Sequence, residues 1–357
     1  MGAVGHAGGA GPEVHLFVVH SPVARWVTHG VIECEGLDRA RVVLALARGM
    51  TSEEGDLRTV PLPMEAVRES PTGLVETWRA RRWMRRNDRR IARATGGRPF
   101  HLYLPHALER AFQLLRSHPG CTGFSYLEEG LYSYCTRAEM DRIHPPPRIR
   151  RGDRLAFSGR VRAAHFFEPG HRRAYALYPD AFPDLDDRAV VRVAPPPVPE
   201  ALRADVAHVI AFDALSATRQ VRLESVCAGL DRLLDRLRSE GVARVHYKLH
   251  PAQRGHPEVA RLEATLARWA PGLVAQRLDD RVSLEGLAYA RPELRAYVNL
   301  SSIGLYAALA GRAAFTWAPY VVAAEPAFAA VVDRAPKIFR EKVRPLEDPQ
   351  EEPAPSR

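Results

Sequence analysis

Short apolar runs alternate with helical segments twice along this chain, and a proline-rich stretch separates the two series. Strands that alternate with helices are typical of a parallel sheet with helices on both faces. A chain of 357 residues is long enough for two domains of this kind. The pattern therefore predicts an α/β protein with two Rossmann-like domains.

The first series contains four strands and three helices. The predicted strands cover residues 15–20, 39–47, 99–106 and the beginning of 121–134. The predicted helices are the segment that begins at Pro22, residues 73–94 and residues 107–118. Ser21 and Pro22 stand where a helix N-cap and a first helical residue are expected, because serine accepts a backbone hydrogen bond and proline needs none.

The second series follows a proline-rich region at residues 144–200, which we interpret as a connection that ends in a linker at 194–200. Strands are predicted at residues 204–212, 242–251, 296–302 and 313–319, and helices at 217–241, 258–270 and 303–311. The predicted boundaries are a disordered N-terminus 1–12, domains 13–195 and 196–330, and a C-terminal helix and tail 331–357. Two Rossmann-like domains that face a central cleft describe the GT-B architecture, with ligands at the carboxyl ends of the strands.

The charge and the cysteine content restrict the partners and the compartment. The net charge is +9, and only three of the 51 basic residues are lysine. A basic surface favours anionic partners such as phosphates, acidic glycans or lipid head groups. The four cysteines lie far apart without a CxxC motif, and no signal peptide or spanning segment is visible. We expect a cytoplasmic protein, and peripheral attachment to the inner face of a membrane stays open.

Two adjacent carboxylates, Glu128 and Glu129, precede Gly130 at the end of a predicted strand. Side chains alternate along a strand, so one carboxylate can face a ligand while the other braces the loop. A carboxylate at a strand end can act as a general base, and Gly130 permits a tight turn. A solvated acidic turn is the alternative interpretation.

The second strand-end motif is His250-Pro251, and the third is Ser301-Ser302. The period of two places Lys248 and His250 on one face of their strand, where they could bind a phosphate, while Pro251 ends the strand. Ser301 and Ser302 precede a predicted helix, whose N-terminus can bind an anion. An ordinary surface histidine and an ordinary helix cap are the alternatives.

Together the three motifs resemble those of the bacterial GT-B sialyltransferases, the group of polysialyltransferases and lipooligosaccharide sialyltransferases. That group carries two acidic residues and a glycine, then an HP motif, then a serine pair. The resemblance covers about residues 13–325. It implies an inverting, metal-independent transferase that moves sialic acid or a related keto sugar from a CMP-sugar to a bacterial capsule or lipooligosaccharide acceptor.

The resemblance also implies roles for the residues. Glu128 by preference, or Glu129, would take the proton of the acceptor hydroxyl, and His250 would stabilise the departing phosphate. Ser301 and Ser302 would bind that phosphate. The N-terminal domain would hold the oligo- or polysaccharide acceptor and the C-terminal domain the CMP-sugar. No cofactor and no metal is implied.

Three alternatives stay open. CDP-alditol phosphotransferases of teichoic-acid type share the HP and Ser-Ser motifs, and Kdo transferases use another CMP-activated keto sugar. A non-enzymatic binder of polyanions or membrane surfaces is the third. Its evidence is a run of arginines on the predicted helix 73–94, which covers most of the helix circumference; no specific nucleic acid is expected. The residues that we interpret as a patch for an acidic acceptor or a membrane are Arg81, Arg82, Arg85 and Arg86.

Overall fold

The computed structural model describes residues 12–51, 55–186, 189–195, 206–280 and 282–346. The chain divides into two compact units, an N-terminal domain Met1–Pro196 and a C-terminal domain Pro197–Arg357. The N-terminus 1–12, the linker at 194–200 and the tail after residue 345, all predicted from composition, lie almost entirely outside the described residues.

The N-terminal domain is built on a sheet of seven parallel strands. They are β1 Val14–Val19, β2 Val42–Leu46, β3 Arg58–Pro61, β4 Phe100–Leu104, β5 Cys121–Leu127, β6 Ala174–Ala176 and β7 Val190–Arg192. Their order is β3-β2-β1-β4-β5-β6-β7. Because the order reverses between β1 and β4, the carboxyl ends of these strands form the place where ligands bind in such sheets. All five residues of β4 are buried, as expected for a strand covered on both faces.

Five helices accompany this sheet. They are α1 Pro22–Cys34, α2 Leu74–Ala94, α3 Arg110–Arg116, α4 Arg137–Ile143 and α5 Arg151–Phe157. Ser21 caps α1 as predicted, since its hydroxyl accepts a hydrogen bond from the Ala24 amide at 3.1 Å. This cap places the residues at the end of β1 next to the start of α1.

The proline-rich region is more than the connection that its composition suggested. It contains α5, and it supplies β6 and β7, which extend the sheet beyond β5. Both strands have three residues, too few to give a period of two in the sequence. They are strands because the edge of β5 offers unpaired backbone groups, a reason that lies in tertiary structure.

The C-terminal domain has a second parallel sheet, of six strands. They are β8 His208–Ala211, β9 Arg244–Lys248, β10 Val274–Arg277, β11 Arg295–Val298, β12 Ala313–Thr316 and β13 Arg344–Pro345, in the order β10-β9-β8-β11-β12-β13. The helices are α6 Leu223–Ser239, α7 Glu258–Ala267, α8 Leu284–Ala290, α9 Ser302–Leu309, α10 Ala318–Ala324, α11 Ala329–Val332 and α12 Lys337–Lys342. The two sheets confirm the predicted α/β fold with two Rossmann-like domains.

The core of the C-terminal domain is centred on α6. Leu230, Leu233 and Leu237 lie on one face of this helix and are fully buried. Gly229 lets α10 approach closely, since a Cβ atom there would lie 2.7 Å from Val321. No helix among the described residues is both long and apolar enough to cross a membrane.

Candidate active site

The carboxyl ends of three neighbouring strands in the N-terminal domain carry titratable side chains. His20 directly follows β1, His106 follows β4, and Glu128 and Glu129 follow β5. The strands β1, β4 and β5 are adjacent in the sheet, so these side chains gather at one edge. Sequence analysis selected only the two glutamates. The two histidines were missed, although each also follows a buried strand.

Glu128 is completely buried, and both of its carboxylate oxygens are hydrogen-bonded. The hydroxyl of Tyr134 donates to Oε1 at 2.5 Å, and the backbone amide of Leu177 donates to Oε2 at 2.6 Å. These bonds tie the turn after β5 to the chain that leaves β6. Glu128 therefore braces the loop, and the structure does not support the preference for Glu128 as the proton acceptor.

Glu129 forms a close pair with His20. Its Oε2 atom lies 2.7 Å from Nε2 of His20, and the side chains are only 8% and 1% exposed. The other polar atoms of the pair, Oε1 of Glu129 and Nδ1 of His20, are buried and have no hydrogen-bond partner within the described part of the chain. Buried polar atoms without partners are costly, and they are frequent where a ligand supplies the missing partner.

The charge of the pair follows from its surroundings. Burial alone would raise the pKa of Glu129, but the positive charge of the His106 and His20 rings when they are protonated, together with the hydrogen bond to His20, lowers the pKa below its usual value. Burial lowers the pKa of His106 to about 3, so its ring is neutral near neutral pH. In the neutral form of the His20 ring, the hydrogen bond to Glu129 places the proton on Nε2, and Nδ1 then carries the lone pair.

The turn between β5 and the following loop holds Glu129 in place. The hydroxyl of Ser133 accepts the Glu129 amide at 3.0 Å, and the hydroxyl of Ser21 donates to the Glu129 carbonyl at 3.0 Å. Gly130 has φ 150° and ψ −151°, a backbone conformation that residues other than glycine rarely adopt. The turn that Gly130 was expected to permit is therefore present.

A second group of polar residues lies at the carboxyl edge of the C-terminal sheet. Asp213 follows β8, His250 follows β9, and Asn299, Ser301 and Ser302 follow β11. Because β8 lies between β9 and β11, the carboxyl ends of β9 and β11 are about 10 Å apart. The histidine and the serines were predicted from the sequence, Asn299 was part of the same strand-end motif without a role of its own, and Asp213 was missed.

His250 is exposed and has a defined tautomer. Its Nδ1 atom accepts the Ala252 amide at 3.1 Å, so the neutral ring carries its proton on Nε2. Desolvation of the ring lowers the pKa of His250, and the bond to Nδ1 also opposes protonation there. Pro251 begins the turn, and Gln253 completes it by accepting the His250 amide at 2.9 Å. The Nε2–H group is thus available as a hydrogen-bond donor.

Ser301 is the N-cap residue of α9, but its hydroxyl makes no capping hydrogen bond. Neither it nor the Ser302 hydroxyl has a partner among the described residues, and both side chains are half-buried. Beside them Asn299 is 1% exposed, and neither polar atom of its side chain has a hydrogen-bond partner among the described residues. Unused donors at a helix N-terminus, with a buried unpaired amide beside them, make this strand end a candidate anion site.

Asp213 fixes the loop in front of α9. Its two carboxylate oxygens accept the amides of Leu300 and Leu215 at 3.0 and 3.2 Å. Burial raises the pKa of Asp213 to about 6, although these hydrogen bonds partly oppose the effect. Asp213 therefore has a positioning role next to the anion site.

Lys248 does not point its charge at an open site. Its ammonium group donates to the carbonyl of Val282, and burial lowers its pKa. Lys248 is half-buried at the end of β9, while His250 is exposed two residues later. The phosphate contact of Lys248 stays a prediction, because the bond to the Val282 carbonyl uses only one of the three ammonium protons.

Comparisons with known proteins give no sequence match. No family model matches the chain, and no curated protein does. Solved structures with a similar fold include the UDP-GlcNAc 2-epimerase of Methanocaldococcus jannaschii, with 12% identity, 85% of this chain and 83% of that chain covered, and a TM-score of 0.49. The UDP complex of S. aureus MnaA has 10% identity, coverage of 93% and 92%, and a TM-score of 0.49. Acinetobacter baumannii MurG has 10% identity, coverage of 94% and 96%, and a TM-score of 0.39.

These comparisons correct the family that the motifs suggested. The similar solved structures include UDP-GlcNAc 2-epimerases, MurG, trehalose-phosphate synthases and HepE, and none of these is a CMP-dependent sialyltransferase. The resemblance to sialyltransferases, the transfer of sialic acid and the CMP-sugar partner are therefore wrong. Motifs of two or three residues mark the carboxyl ends of strands, which every Rossmann-like sheet has, and they do not specify a nucleotide.

Proposed function

We propose that this chain is a glycosyltransferase-like enzyme that uses a nucleotide-activated sugar. The observation that carries the proposal is the buried pair of Glu129 and His20, because each partner keeps one buried polar atom unpaired. A carboxylate that holds an imidazole by one nitrogen turns the other nitrogen into a proton acceptor. Such a group is what an attacking hydroxyl requires.

In the proposed reaction, Nδ1 of His20 takes the proton of the acceptor hydroxyl as its oxygen attacks the anomeric carbon. Glu129 orients the ring and stabilises the imidazolium that forms. The bond between the anomeric carbon and the donor phosphate breaks, and the phosphate leaves with the bonding electron pair. His20 is therefore the catalytic residue, and Glu129 is a positioning residue that acts through it.

The C-terminal domain, taken by itself, carries groups that suit a donor phosphate. Nε2–H of His250 and the hydroxyls of Ser301 and Ser302 are donors that the described residues leave unused. Donors held in position by the fold stabilise developing negative charge without reorganisation. The proposal assigns these three residues to the donor phosphates.

The test is a panel of UDP-GlcNAc, UDP-glucose and GDP-mannose, offered with and without sugar acceptors. UDP-sugars come first in the panel because UDP and UDP-GlcNAc are bound in solved structures with a similar fold. We expect nucleoside diphosphate release that depends on the acceptor. His20→Asn should reduce release by about 10²-fold or more. A matched control is His208→Ala. His208 lies at the amino end of β8, whereas the candidate residues of the C-terminal sheet lie at the carboxyl ends of its strands.

Two results would contradict the proposal. One is full activity of the His20→Asn protein, which would remove the proton acceptor from the mechanism. The other is conversion of the donor sugar at the same rate with and without an acceptor, which would indicate a sugar-modifying enzyme without transfer.

A further inference from the structure

The long helix α2 has one buried face and one broad cationic face. Ala80, Met84, Asn87 and Ile91 are its buried residues, and their spacing of three and four places them on one side. The arginines on the other side are exposed, namely Arg79, Arg81, Arg82, Arg85, Arg86, Arg89 and Arg93. The sequence suggested arginines around most of the circumference, whereas the structure gives this helix a defined outer face.

Large apolar side chains are exposed at the start of the same helix. Leu74 is 87% exposed, Val75 57% and Trp78 58%, while Leu155 on α5 is 55% exposed. Trp83, by contrast, points inward far enough to donate its Nε1 proton to the Pro63 carbonyl at 2.8 Å. Apolar groups of this size in water mark an interaction surface when they occur together.

The helix α5 lies beside the beginning of α2. A Cβ atom at Gly152 in α5 would lie 2.1 Å from the carbonyl oxygen of Pro71, just before α2, so the two segments touch through backbone. The exposed Leu155 follows on the same short helix. Exposed arginines surround it in the sequence, namely Arg148, Arg150, Arg151 and Arg154. We name the exposed apolar and arginine side chains of these two helices the α2–α5 patch.

The cations of this patch are free to bind an external anion. Arg81, Arg85 and Arg86 have no ion pair with any carboxylate among the described residues. Arg82 lies over the ring of Trp78 at 5.3 Å, which joins the cationic and the apolar part of the patch. Glu76 and Asp88 are the acidic residues of α2, and Asp88 is already paired with Arg160 at 2.6 Å.

We propose that the α2–α5 patch binds the surface of a membrane that contains anionic lipids. The arginines would contact lipid phosphates, and Leu74, Trp78 and Leu155 would enter the region between head groups and acyl chains. A hydrated polyanion such as nucleic acid or an acidic glycan would use the arginines, but it would leave the apolar side chains in water. An anionic bilayer matches both parts of the patch, since apolar burial and charge attraction add there.

The test is flotation of the full-length protein with two kinds of vesicles. One kind is phosphatidylcholine alone, and the other contains equal parts of phosphatidylcholine and phosphatidylglycerol. We expect binding to the second kind that weakens with added salt. Two variants test the two parts of the patch, and each should weaken binding at least about tenfold. The apolar variant combines Leu74→Ser and Trp78→Ser. The charge variant combines Arg81→Gln, Arg82→Gln, Arg85→Gln and Arg86→Gln.

Matched controls in the C-terminal domain separate the patch from bulk charge. The charge control combines four exposed arginines changed to glutamine, namely Arg219, Arg244, Arg334 and Arg340. The apolar control is Val274→Ser, which changes a side chain that is 45% exposed on β10. Both should keep wild-type binding, and thermal melting should show that every variant is folded.

Three results would overturn the proposal. The wild-type protein could fail to float with phosphatidylglycerol vesicles. The charge control could lose as much binding as the patch variant, which would show that net charge alone acts. Finally, the Leu74 and Trp78 variant could bind vesicles, heparin and DNA as the wild type does, which would identify a surface for polyanions.

Discussion

Glu128 and Glu129 are neighbours in the chain, but their carboxylates have different surroundings. Glu128 accepts hydrogen bonds from Tyr134 and Leu177 inside the N-terminal domain. Glu129 turns to His20 and keeps one oxygen without a partner. Since side chains alternate at the end of a strand, two identical residues have acquired different tasks.

We predict that Glu128→Ala destabilises the N-terminal domain by about 3 kcal/mol, because buried donors of Tyr134 and Leu177 lose their acceptor. Thermal melting measures the change, and Tyr134→Phe should give a smaller loss because it removes only one donor. Glu33→Gln is the matched control, as Glu33 is exposed. Wild-type stability of the Glu128→Ala protein would contradict the bracing role.

Glu129→Gln should reduce kcat by about 10²–10⁴-fold and change the donor KM little. The amide oxygen can still accept the His20 proton, but the charge that stabilises the imidazolium is lost. Initial rates with the donor that the panel identifies give the two constants. A larger effect on KM than on kcat would show that Glu129 binds substrate and does not act through His20.

Ser301→Ala and Ser302→Ala should each raise the donor KM by about tenfold, because each removes one donor to a charged phosphate. Their effect on stability should stay below about 0.5 kcal/mol, since neither hydroxyl caps α9 or has another partner among the residues that the structure describes. Donor titrations and thermal melting measure the two effects. Loss of stability without a change in KM would assign these serines to the fold alone.

His106 should make the N-terminal domain sensitive to acid. Burial lowers its pKa to about 3 in the folded state, from an ordinary value of 6.5. As the pH falls, His106 therefore binds its proton in the unfolded state before it does so in the folded state. The free energy of unfolding decreases as the pH falls between these two pKa values. From pH 7.5 to 5 we expect a loss of about 2 kcal/mol from this residue.

Urea unfolding of the wild type and of His106→Phe at both pH values measures this contribution. Phenylalanine keeps an aromatic ring next to Phe166, which stacks on His106 at 4.2 Å. The variant should lose about 2 kcal/mol less than the wild type on acidification. Parallel losses in the two proteins would show that His106 does not titrate in this way.

Much of the fold could be predicted from the sequence, because local patterns specify it. The buried run at the start of the chain gave β1, and Ser21 with Pro22 gave the start of α1. The long amphipathic pattern gave α6, which begins six residues later and ends two residues earlier than the predicted helix 217–241. These elements depend on apolar periodicity and capping, which neighbours in the chain determine.

The sequence by itself determined two α/β domains and the strand ends at which polar residues collect. Tertiary structure alone decided that His20 meets Glu129, 109 residues further along the chain, and that Glu128 faces inward. It also decided that β6 and β7 join the sheet, and that Lys248 donates a hydrogen bond to the Val282 carbonyl. Parallel strands pair across long connections, so the identity of each partner at a strand end depends on strand order, which local patterns do not contain.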